Sequence, residues 1–525
     1  MRSRRLGGLA MVFALVASAC AAPAATQAPT GTPVAPPTEA ATPEPVPTEA
    51  VPTEAPPTEA APTEAPPTEA APTEAAPTEG PGESPAAAVP TVPTGHAELD
   101  QALGADQPFT GLTVSIQTQW IGGEGANFAA SLADFQTATG IVVQVDSIGS
   151  SHETVLRTRI QGGQPPDLAM LAQPTAVLAY GAQGSILDVA TFMDVETLTS
   201  EHEATIGLIS EGEQIWGIPY KADVKSTVWY PIKPFEAAGY TVPETWDDMI
   251  ALSDTIAATG SNPWCMGMEA GDATGWQATD WIEEVMLRTA PIETYNAWIS
   301  HELPFDSPEV RNAFEMVGQI FFTEGYVFGG NTAITSTPQT EPFDPAFPED
   351  DNWEGFTPGC WFHKIPTWYG PDFFPDVRAG GPGTETMYEI GEDIGIFYLP
   401  PIDPEFGTPA LGSADTLMVL ADRPEVRAVA QFLSTPQGTQ RWIEAGSAIS
   451  ANTETPPEWY EGAYKLDVAA GIVNNATALG FDASDLMPPE VGAGAFWTES
   501  VSWIQNNGTN LDQVLQNIDA AWPSQ

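Results

Sequence analysis

Residues 112–184 read LTVSIQTQWIGGEGANFAASLADFQTATGIVVQVDSIGSSHETVLRTRIQGGQPPDLAMLAQPTAVLAYGAQG, and this stretch decides the fold. Residues 112–120 alternate apolar and polar side chains, which predicts a strand. Residues 128–139 have helical spacing and stop at Gly140, a typical C-terminal cap. The pattern repeats, with strands predicted at 141–148 and 167–171 and helices at 152–161 and 175–184. Strands that alternate with helices predict parallel pairing, right-handed crossovers and an α/β fold.

Ligands of such sheets bind beyond the carboxyl ends of the strands. Trp120, Ser147 and Gln173 lie at or near those ends. Trp120 and Glu124 flank a glycine-rich segment at 122–125, which we interpret as a turn after the first strand. Its spacing is not that of a dinucleotide-binding fingerprint.

The rest of the chain is predicted to be more helical. Thr245-Trp-Asp-Asp248 resembles a capping box at the start of a helix, and Ser307-Pro308 opens another. Further helices are predicted at 424–433, 436–445 and 510–522, and strands at 224–230, 394–399 and 416–420. The part from about residue 96 to residue 525 exceeds what one core usually supports, so we expect two lobes.

The N-terminus has the pattern of a secretory signal at residues 1–19. Arg2, Arg4 and Arg5 precede an apolar run that ends in Ala17-Ser-Ala-Cys20, and the run is too short to span a bilayer. The segment resembles a bacterial lipobox, which implies lipidation of Cys20, although Ala17 stands where lipoboxes usually have leucine. Ordinary cleavage after Ala19 is the alternative.

Residues 20–95 are predicted to form a disordered stalk that carries the lipidated cysteine. Pro-Thr-Glu occurs eight times, and residues 21–95 contain no lysine, arginine or aromatic residue. Such a segment cannot bury enough apolar surface to fold, and its prolines favour an extended spacer. The alternative is a disordered leader without a function.

Composition limits the partners. The chain has 70 acidic against 16 basic residues and a net charge of −54, so we expect no nucleic-acid partner and a neutral or cationic ligand. The acidity also fits a role in solubility alone. After Cys20, only Cys265 and Cys360 remain; in an exported protein we expect them to form a disulfide, and two buried free thiols are the alternative. The five histidines lack metal-site spacing, so we expect neither a metal nor a cofactor.

Five stretches of the chain resemble a known family in their amino-acid sequence and in their order along the chain. They are GIPYKADVKSTVWY (217–230), TGWQATDWIEEVMLR (274–288), PGCWFHKIPTW (358–368), DRPEVRAVAQFLSTPQGTQRWIEAG (422–446) and FDASDLMPPEVGAGAFW (481–497). They resemble the family 1 extracellular solute-binding proteins of carbohydrate ABC importers, in particular the α-glucoside-binding and maltose-binding group.

The resemblance implies a type II periplasmic-binding-protein fold of two α/β lobes with three hinge crossovers. Lobe 1 would hold 106–222 and 398–448, and lobe 2 would hold 223–397 and 449–525. The crossovers would fall near 221–224, 399 and 450. It also implies an exported monomer, lipid-anchored at the outer face of the cytoplasmic membrane. Such a receptor would deliver an oligosaccharide, an α-glucoside, to the transmembrane permease subunits by hinge closure.

A pyranose offers apolar C–H faces to aromatic rings and a hydroxyl rim to charged and amide groups. With the resemblance, this chemistry selects ten candidate sugar-binding residues. They are Trp120, Glu124, Gln173, Lys221, Asp223, Trp276, Asp280, Trp368, Asp415 and Trp497. Eight of them have a structural alternative: the tryptophans pack in cores, Asp280 caps a helix, Lys221 and Asp223 pair with each other, and Glu124 stays solvated.

The main rival is a surface-anchored glycoside hydrolase, which would need two carboxyl groups facing one glycosidic bond. With this many acids, the sequence does not exclude such a pair. A peptide-binding or adhesive lipoprotein is a third possibility. No GxSxG elbow or Walker loop occurs. We therefore expect a binding protein without catalytic residues.

Overall fold

The computed structural model describes residues 88–381 and 386–524. The predicted signal peptide, Cys20 and the stalk up to residue 87 lie outside the described residues. At the start of the described part, Ala88 is buried and its N–H donates to Asp134.

The strands within these ranges alternate with helices. The strands are β1 Thr113–Thr118, β2 Val142–Ser147, β3 Leu168–Leu171, β4 Ser210–Glu211, β5 Gln214–Ile215, β6 Ile218–Val224, β7 Thr227–Pro231, β8 Asn262–Trp264, β9 Cys360–Lys364, β10 Ile394–Tyr398, β11 Ala410–Val419, β12 Ile449–Ser450 and β13 Leu479–Phe481. The helices are α1 Ala97–Leu103, α2 Gly122–Thr139, α3 His152–Gln161, α4 Pro174–Ala182, α5 Val195–Glu201, α6 Ile232–Ala237, α7 Trp246–Ala258, α8 Trp276–Thr289, α9 Ile292–Ile299, α10 Pro308–Phe322, α11 Gly330–Ser336, α12 Pro375–Gly380, α13 Pro424–Ser434, α14 Gln440–Glu444, α15 Tyr464–Asn475, α16 Ala483–Leu486, α17 Trp497–Gln505 and α18 Leu511–Ala520.

The first sheet has the strand order β12-β6-β11-β3-β1-β2, with β13 beside β11. Strand β1 pairs in parallel with β2 and β3, which confirms the parallel pairing predicted for 112–184. Strand β11 runs antiparallel to β3 and β6. The first sheet therefore combines parallel strands, as in α/β folds, with the antiparallel strand β11 in its middle.

The second sheet has the order β10-β7-β9-β8. Strand β7 is antiparallel to β10 and β9, and β8 is parallel to β9. Two separate apolar cores accompany the two sheets. One includes Val114, Leu168 and Phe432, and the other includes Trp264 and Trp503. The structure therefore has two lobes, each built around its own sheet, as expected for chain length.

The single strand predicted at 224–230 is wrong, because the chain crosses between the two sheets inside it. Strand β6 ends at Val224 and pairs in the first sheet, whereas β7 begins at Thr227 and pairs in the second. Lys225 and Ser226 make the crossing, and the Lys225 N–H donates to the carbonyl of Leu411. Strand-forming residues lie on both sides of the crossing, Val224 before it and Val228 to Tyr230 after it, so strand propensity alone does not locate it.

Three further predictions need correction. The glycine-rich segment 122–125 is the first turn of α2, so Glu124 belongs to a helix and not to a turn. The helix predicted at 436–445 is a 3₁₀ turn at Pro436–Gly438 followed by the short α14, where Gly438 packs against the backbone of Leu433. Strand β11 starts at Ala410 rather than 416, so Asp415 lies inside the strand.

Several local predictions are confirmed. The Thr245 hydroxyl accepts from the Asp248 N–H at the start of α7, and Ser307 caps α10 in the same way. Cys265 and Cys360 form a disulfide beside the aromatic cluster that includes Trp229. Among the residues that the structure describes, none of the helices combines the length and apolarity that a membrane span requires.

Candidate binding site

A cavity of about 280 Å³ lies between the two lobes. Nine of the ten residues proposed from sequence line it: Trp120, Glu124, Gln173, Lys221, Asp223, Trp276, Trp368, Asp415 and Trp497. The loops after β1 and β3 supply Trp120 and Gln173, as expected for carboxyl ends of parallel strands. The tenth, Asp280, is buried behind the wall in α8. Whether each of these residues contacts a ligand stays a prediction.

Two half-buried tryptophans form an aromatic face of the cavity. The ring centroids of Trp276 and Trp368 are 6.3 Å apart, with the rings inclined at 52°. The indole N–H of Trp276 donates to Gln339 at 2.7 Å, and the Lys225 ammonium lies 5.1 Å from the ring centroid. These contacts hold the ring in one orientation and leave it open to the cavity.

Trp497 also lines the cavity, but it is 4% exposed, and its indole N–H donates to Ser484. Gly275, just before α8, lies against its backbone. A Cβ at Gly275 would come within 2.4 Å of the Trp497 carbonyl oxygen, and φ there is +116°. Glycine at this position therefore permits α8 and α17 to begin side by side, which brings Trp276 and Trp497 to one cavity.

Trp120 is more core than cavity wall. It is 2% exposed, and its ring lies 4.8 Å from that of Trp442 and 5.0 Å from that of Phe128. Trp120 therefore packs mainly in the core, as the structural alternative predicted, and little of its surface is open to a ligand.

Lys221 is the centre of a charged cluster on the first-lobe side. Its ammonium lies 2.7 Å from Asp223, 3.6 Å from Asp415 and 3.9 Å from Glu124, and Gln119 donates to Asp415 at 2.8 Å. Burial lowers the pKa of Lys221, but the three carboxylates outweigh burial and raise it. The side chains of Lys221 and Asp223 do pair, and both still face the cavity.

Glu124 is the least satisfied carboxyl group of this cluster. Its Oε1 has no hydrogen-bond partner among the described residues, and the residue is 8% exposed, so the expectation that it stays solvated is wrong. Burial raises its pKa to about 8, against the opposing effect of Lys221. Burial likewise raises the pKa of Asp415 to about 6. The cavity thus holds carboxyl groups that can donate or accept.

We predict that Glu124→Gln changes the pH dependence of stability. The folded protein binds the Glu124 proton up to about pH 8, whereas the unfolded chain releases it near pH 4.5. The folded state therefore holds more protons in this window, and its stability falls as pH rises. Glutamine cannot titrate, so the variant should lose less stability than wild type as pH rises. In urea titrations, the free energy of unfolding of the variant, relative to that of wild type, should increase by at least about 1 kcal/mol between about pH 5 and about pH 8.5.

The exposed Glu211, replaced in the same way, is the control and should follow the wild-type curve. Parallel curves for Glu124→Gln and wild type would contradict the raised pKa of the Glu124 carboxyl group.

A second charged cluster lies under the tryptophans. Lys225 donates to Asp280 at 2.8 Å and also to Asp482. The cluster further contains Glu283, Glu284, Arg288, Lys364 and Asp485, all buried. Asp280 is the fifth residue of α8, which Gly275 precedes as cap residue, so the alternative that Asp280 caps this helix is wrong. It positions Lys225 instead.

Carboxylate oxygens of Asp280, Glu283 and Asp482 lie within 4.8 Å of one another. Lys225 already supplies a cation to two of them. Burial and the neighbouring carboxylates raise the pKa of Glu283 and of Asp485 well above the ordinary range. The lysine and the raised pKa values together reduce the net negative charge of these carboxyl groups, as in a buried ion-pair network.

Sequence reasoning missed several residues of the cavity wall. They are Gln119, Glu153, Lys225, Glu269, Gln339, Asp482 and Asp485. One available signal was the scarcity of lysine: the chain has five, and four of them (Lys221, Lys225, Lys364 and Lys465) are buried. Lysine is rarely buried without a carboxylate partner, so lysines within apolar segments mark charged clusters.

The two lobes also touch beside the cavity. Asp372, which follows β9 of the second lobe, accepts from Asn127 of α2 at 2.9 Å. Gly123 makes this approach possible, because a Cβ there would lie 2.3 Å from the Asp372 side chain. Separation of α2 from Asp372 would break this contact.

We predict that Gly123→Ala weakens ligand binding through this contact. The added methyl group meets Asp372 and opposes the approach of the lobes, so a ligand that touches both lobes should bind at least threefold more weakly. Because the clash is with Asp372 itself, Gly123→Ala combined with Asp372→Ala should bind no more weakly than Asp372→Ala alone.

Gly471→Ala is the matched control, since the position is helical and a Cβ there meets nothing within 4 Å. Calorimetric titration measures the four variants and the wild-type protein. Equal affinity of Gly123→Ala and wild type would show that the Asp372 contact does not limit binding.

Comparison with known proteins places these features in one family. The sequence profile described as bacterial extracellular solute-binding protein matches residues 120–351. The chain is 33% identical over 411 residues to the osmoprotective compounds-binding protein GgtB of Synechocystis sp., an overlap of 78% of this chain and 92% of that protein. It is also 33% identical over 431 residues to the alpha-glucosides-binding periplasmic protein AglE of Rhizobium meliloti, an overlap of 79% and 88%.

The fold agrees with these relatives. The solved structure of the bacterial solute receptor AcbH superposes with a TM-score of 0.63 at 15% identity, over 78% of this chain and 97% of that chain. At this identity the match supports the fold alone, which is the two-lobed type II fold of solute-binding proteins. Because the chain is 33% identical to each of these two relatives over most of their length, it belongs to the family of bacterial extracellular solute-binding proteins.

Proposed function

We propose that this protein is the sugar-binding receptor of an ABC importer and that its ligand is an α-glucoside. The observation that carries the proposal is the pairing of Trp276 and Trp368 across one cavity from the Lys221 cluster. Flat rings cover the C–H faces of a pyranose, and charged groups bond its hydroxyls.

The energetics of such a site favour an uncharged polyol. A hydrogen bond to a charged group contributes about 1.5 to 3 kcal/mol net, so two or three bonds to Lys221, Asp223 and Asp415 would orient a sugar. Carboxylates outnumber lysines on the wall, which would repel sugar phosphates and uronic acids. The cavity therefore suits a neutral glycoside.

The name of one of the two relatives supports the same ligand class. One is named for α-glucosides and the other for osmoprotective compounds. The proposal takes from them the expectation of a small α-linked glycoside and of permease subunits as partners. The support that comes from this chain itself is the arrangement of Lys221, Trp276 and Trp368.

Titration calorimetry tests this function directly. Maltose, trehalose, sucrose, cellobiose and longer glucans are titrated into the purified protein, and each mixture is then assayed for products over hours. We expect saturable binding of at least one α-glucoside, weaker binding of cellobiose and no products. Failure to bind any of these sugars would contradict the proposal, and turnover would favour a glycoside hydrolase instead.

Hinge closure would couple binding to delivery. The sugar would touch both lobes only when they approach, which shifts the population toward the closed form. We propose the lobe boundaries given from sequence, moved so that the first crossing falls at 225–226, where the chain leaves the first sheet, with the others near 399 and 450, and a monomer as the active form. Small-angle scattering with and without ligand tests the closure of the lobes and the monomeric state.

We further propose that the protein is exported and held at the outer face of the cytoplasmic membrane by a lipid on Cys20. The signal pattern and the Pro-Thr-Glu stalk support a tether that places the folded part near its permease. Several acyl chains on one residue bind membranes firmly, so Cys20→Ser should release the protein into the medium. Retention of this variant in the membrane fraction would contradict the anchor.

A further inference from the structure

The cavity between the lobes continues into a second one. A neighbouring cavity of about 680 Å³ is bounded by α3 and α4 of the first lobe and by residues 489–497 of the second. Glu153, Gln173 and Trp497 line both cavities. The two spaces therefore share one wall, and a ligand in the first can extend past these residues into the second.

The second cavity has groups that bind a sugar unit. Arg157, Gln161 and Gln183 offer hydrogen-bond donors, and Glu490 offers acceptors. The half-buried ring of Tyr180 and apolar side chains such as Ala179 cover another part of the wall. A few polar groups on an otherwise apolar concave wall are typical of small-molecule sites.

Arg157 is held in place for this role. Its guanidinium donates to the Thr154 hydroxyl at 2.9 Å, one turn earlier on α3. It is also close enough to Glu153 to lower the pKa of that carboxyl group, which burial raises. Arg157 therefore lines the second cavity near Glu153 of the shared wall, and its other N–H groups are available to a ligand.

We propose that the second cavity is a binding subsite for the units of an oligosaccharide beyond the first two. This inference rests on the proposed function, because it requires a sugar in the first cavity. The first cavity is the smaller of the two, so a disaccharide would fill it and a longer chain would continue past Trp497. The protein would then prefer chains of three or more units.

The test compares chain lengths on one protein. Maltose, maltotriose and maltotetraose are titrated by calorimetry into wild type, and maltotriose should bind at least tenfold more tightly than maltose, a difference of about 1.4 kcal/mol. Arg157→Ala removes donors from the second cavity, and Ala179→Trp fills it. Each should reduce the maltotriose-to-maltose affinity ratio to less than about threefold.

Arg159→Ala is the matched control. Arg159 is on the same helix, but its guanidinium bonds Asp146 and Gln117 and does not line the cavity, so the ratio should stay at the wild-type value. Thermal melting verifies that each variant is folded. Two variants are used because Ala179→Trp can fail by misfolding, whereas Arg157 is exposed.

The outcomes separate the two proposals. Maltose binding with no gain for maltotriose, or a ratio that both variants leave unchanged, would overturn the subsite alone. Binding of none of the three sugars would overturn the subsite, and failure of trehalose and sucrose to bind as well would contradict the proposed α-glucoside function.

Discussion

Lys225→Met should lower the free energy of unfolding by about 3 to 5 kcal/mol, the cost of breaking a buried ion pair by removing one partner. Lys225 is 6% exposed, and it donates to Asp280 and Asp482 where the chain crosses between the sheets. Methionine has a similar length but no charge. The variant would leave two buried carboxylates without their shared cation.

The control is Lys233→Met, whose ammonium pairs with Asp393 but is half exposed. Surface pairs contribute about 1 kcal/mol or less, so urea titration should separate the two lysines clearly. Equal losses for both variants would show that the buried cluster does not contribute to stability as its geometry indicates.

Lys225→Met combined with Asp482→Asn should recover part of the loss, because one stranded charge is removed. The recovery measures the coupling between the two side chains. Independent, additive losses would contradict a direct pair.

Trp276→Ala and Trp368→Ala should each weaken binding of an α-glucoside at least tenfold, about 1.4 kcal/mol. Each change removes a ring that faces the cavity and would cover a pyranose face. Trp368→Phe keeps an aromatic face and should lose less. Because the two rings are 6.3 Å apart, the double variant should depart from additivity. Trp497→Ala should also weaken binding tenfold or more.

Trp522→Ala is the control for these variants. Trp522 is half-buried and stacks on His301, with ring centroids 4.3 Å apart, and it does not line the cavity. Its replacement should leave sugar affinity unchanged in the same calorimetric titration. Wild-type affinity in all three cavity variants would contradict the assignment of the aromatic face.

The parallel part of the first sheet and most caps follow from local pattern. Alternation in 112–120, the helix stop at Gly140 and the Thr245 cap each depend on a few neighbouring residues, and all appear in the structure. The disulfide followed from the cysteine count and the signal pattern. These features need no knowledge of what packs against them.

Local pattern failed where the chain leaves one sheet for the other. The 224–230 segment (VKSTVWY) was predicted as one strand because its β-branched and aromatic residues favour a strand, although Lys225 and Ser226 interrupt the alternation. The glycines at 122–125 read as a turn, although they begin α2, where Gly123 receives Asp372 of the other lobe. In each case the deciding partner is hundreds of residues away or on a different sheet.

Residue type and order along the chain, with the family resemblance, were sufficient to predict an α/β body of two lobes and nine of the residues on its cavity wall, because periodicity and strand ends are local properties. The roles of Lys225, Asp482 and Asp485, the burial of Trp120, the Glu124 oxygen that lacks a hydrogen bond and the second cavity depend on tertiary structure alone. They arise from burial and from charges brought together across long sequence separations, and burial is what changes the chemistry of a carboxyl or ammonium group.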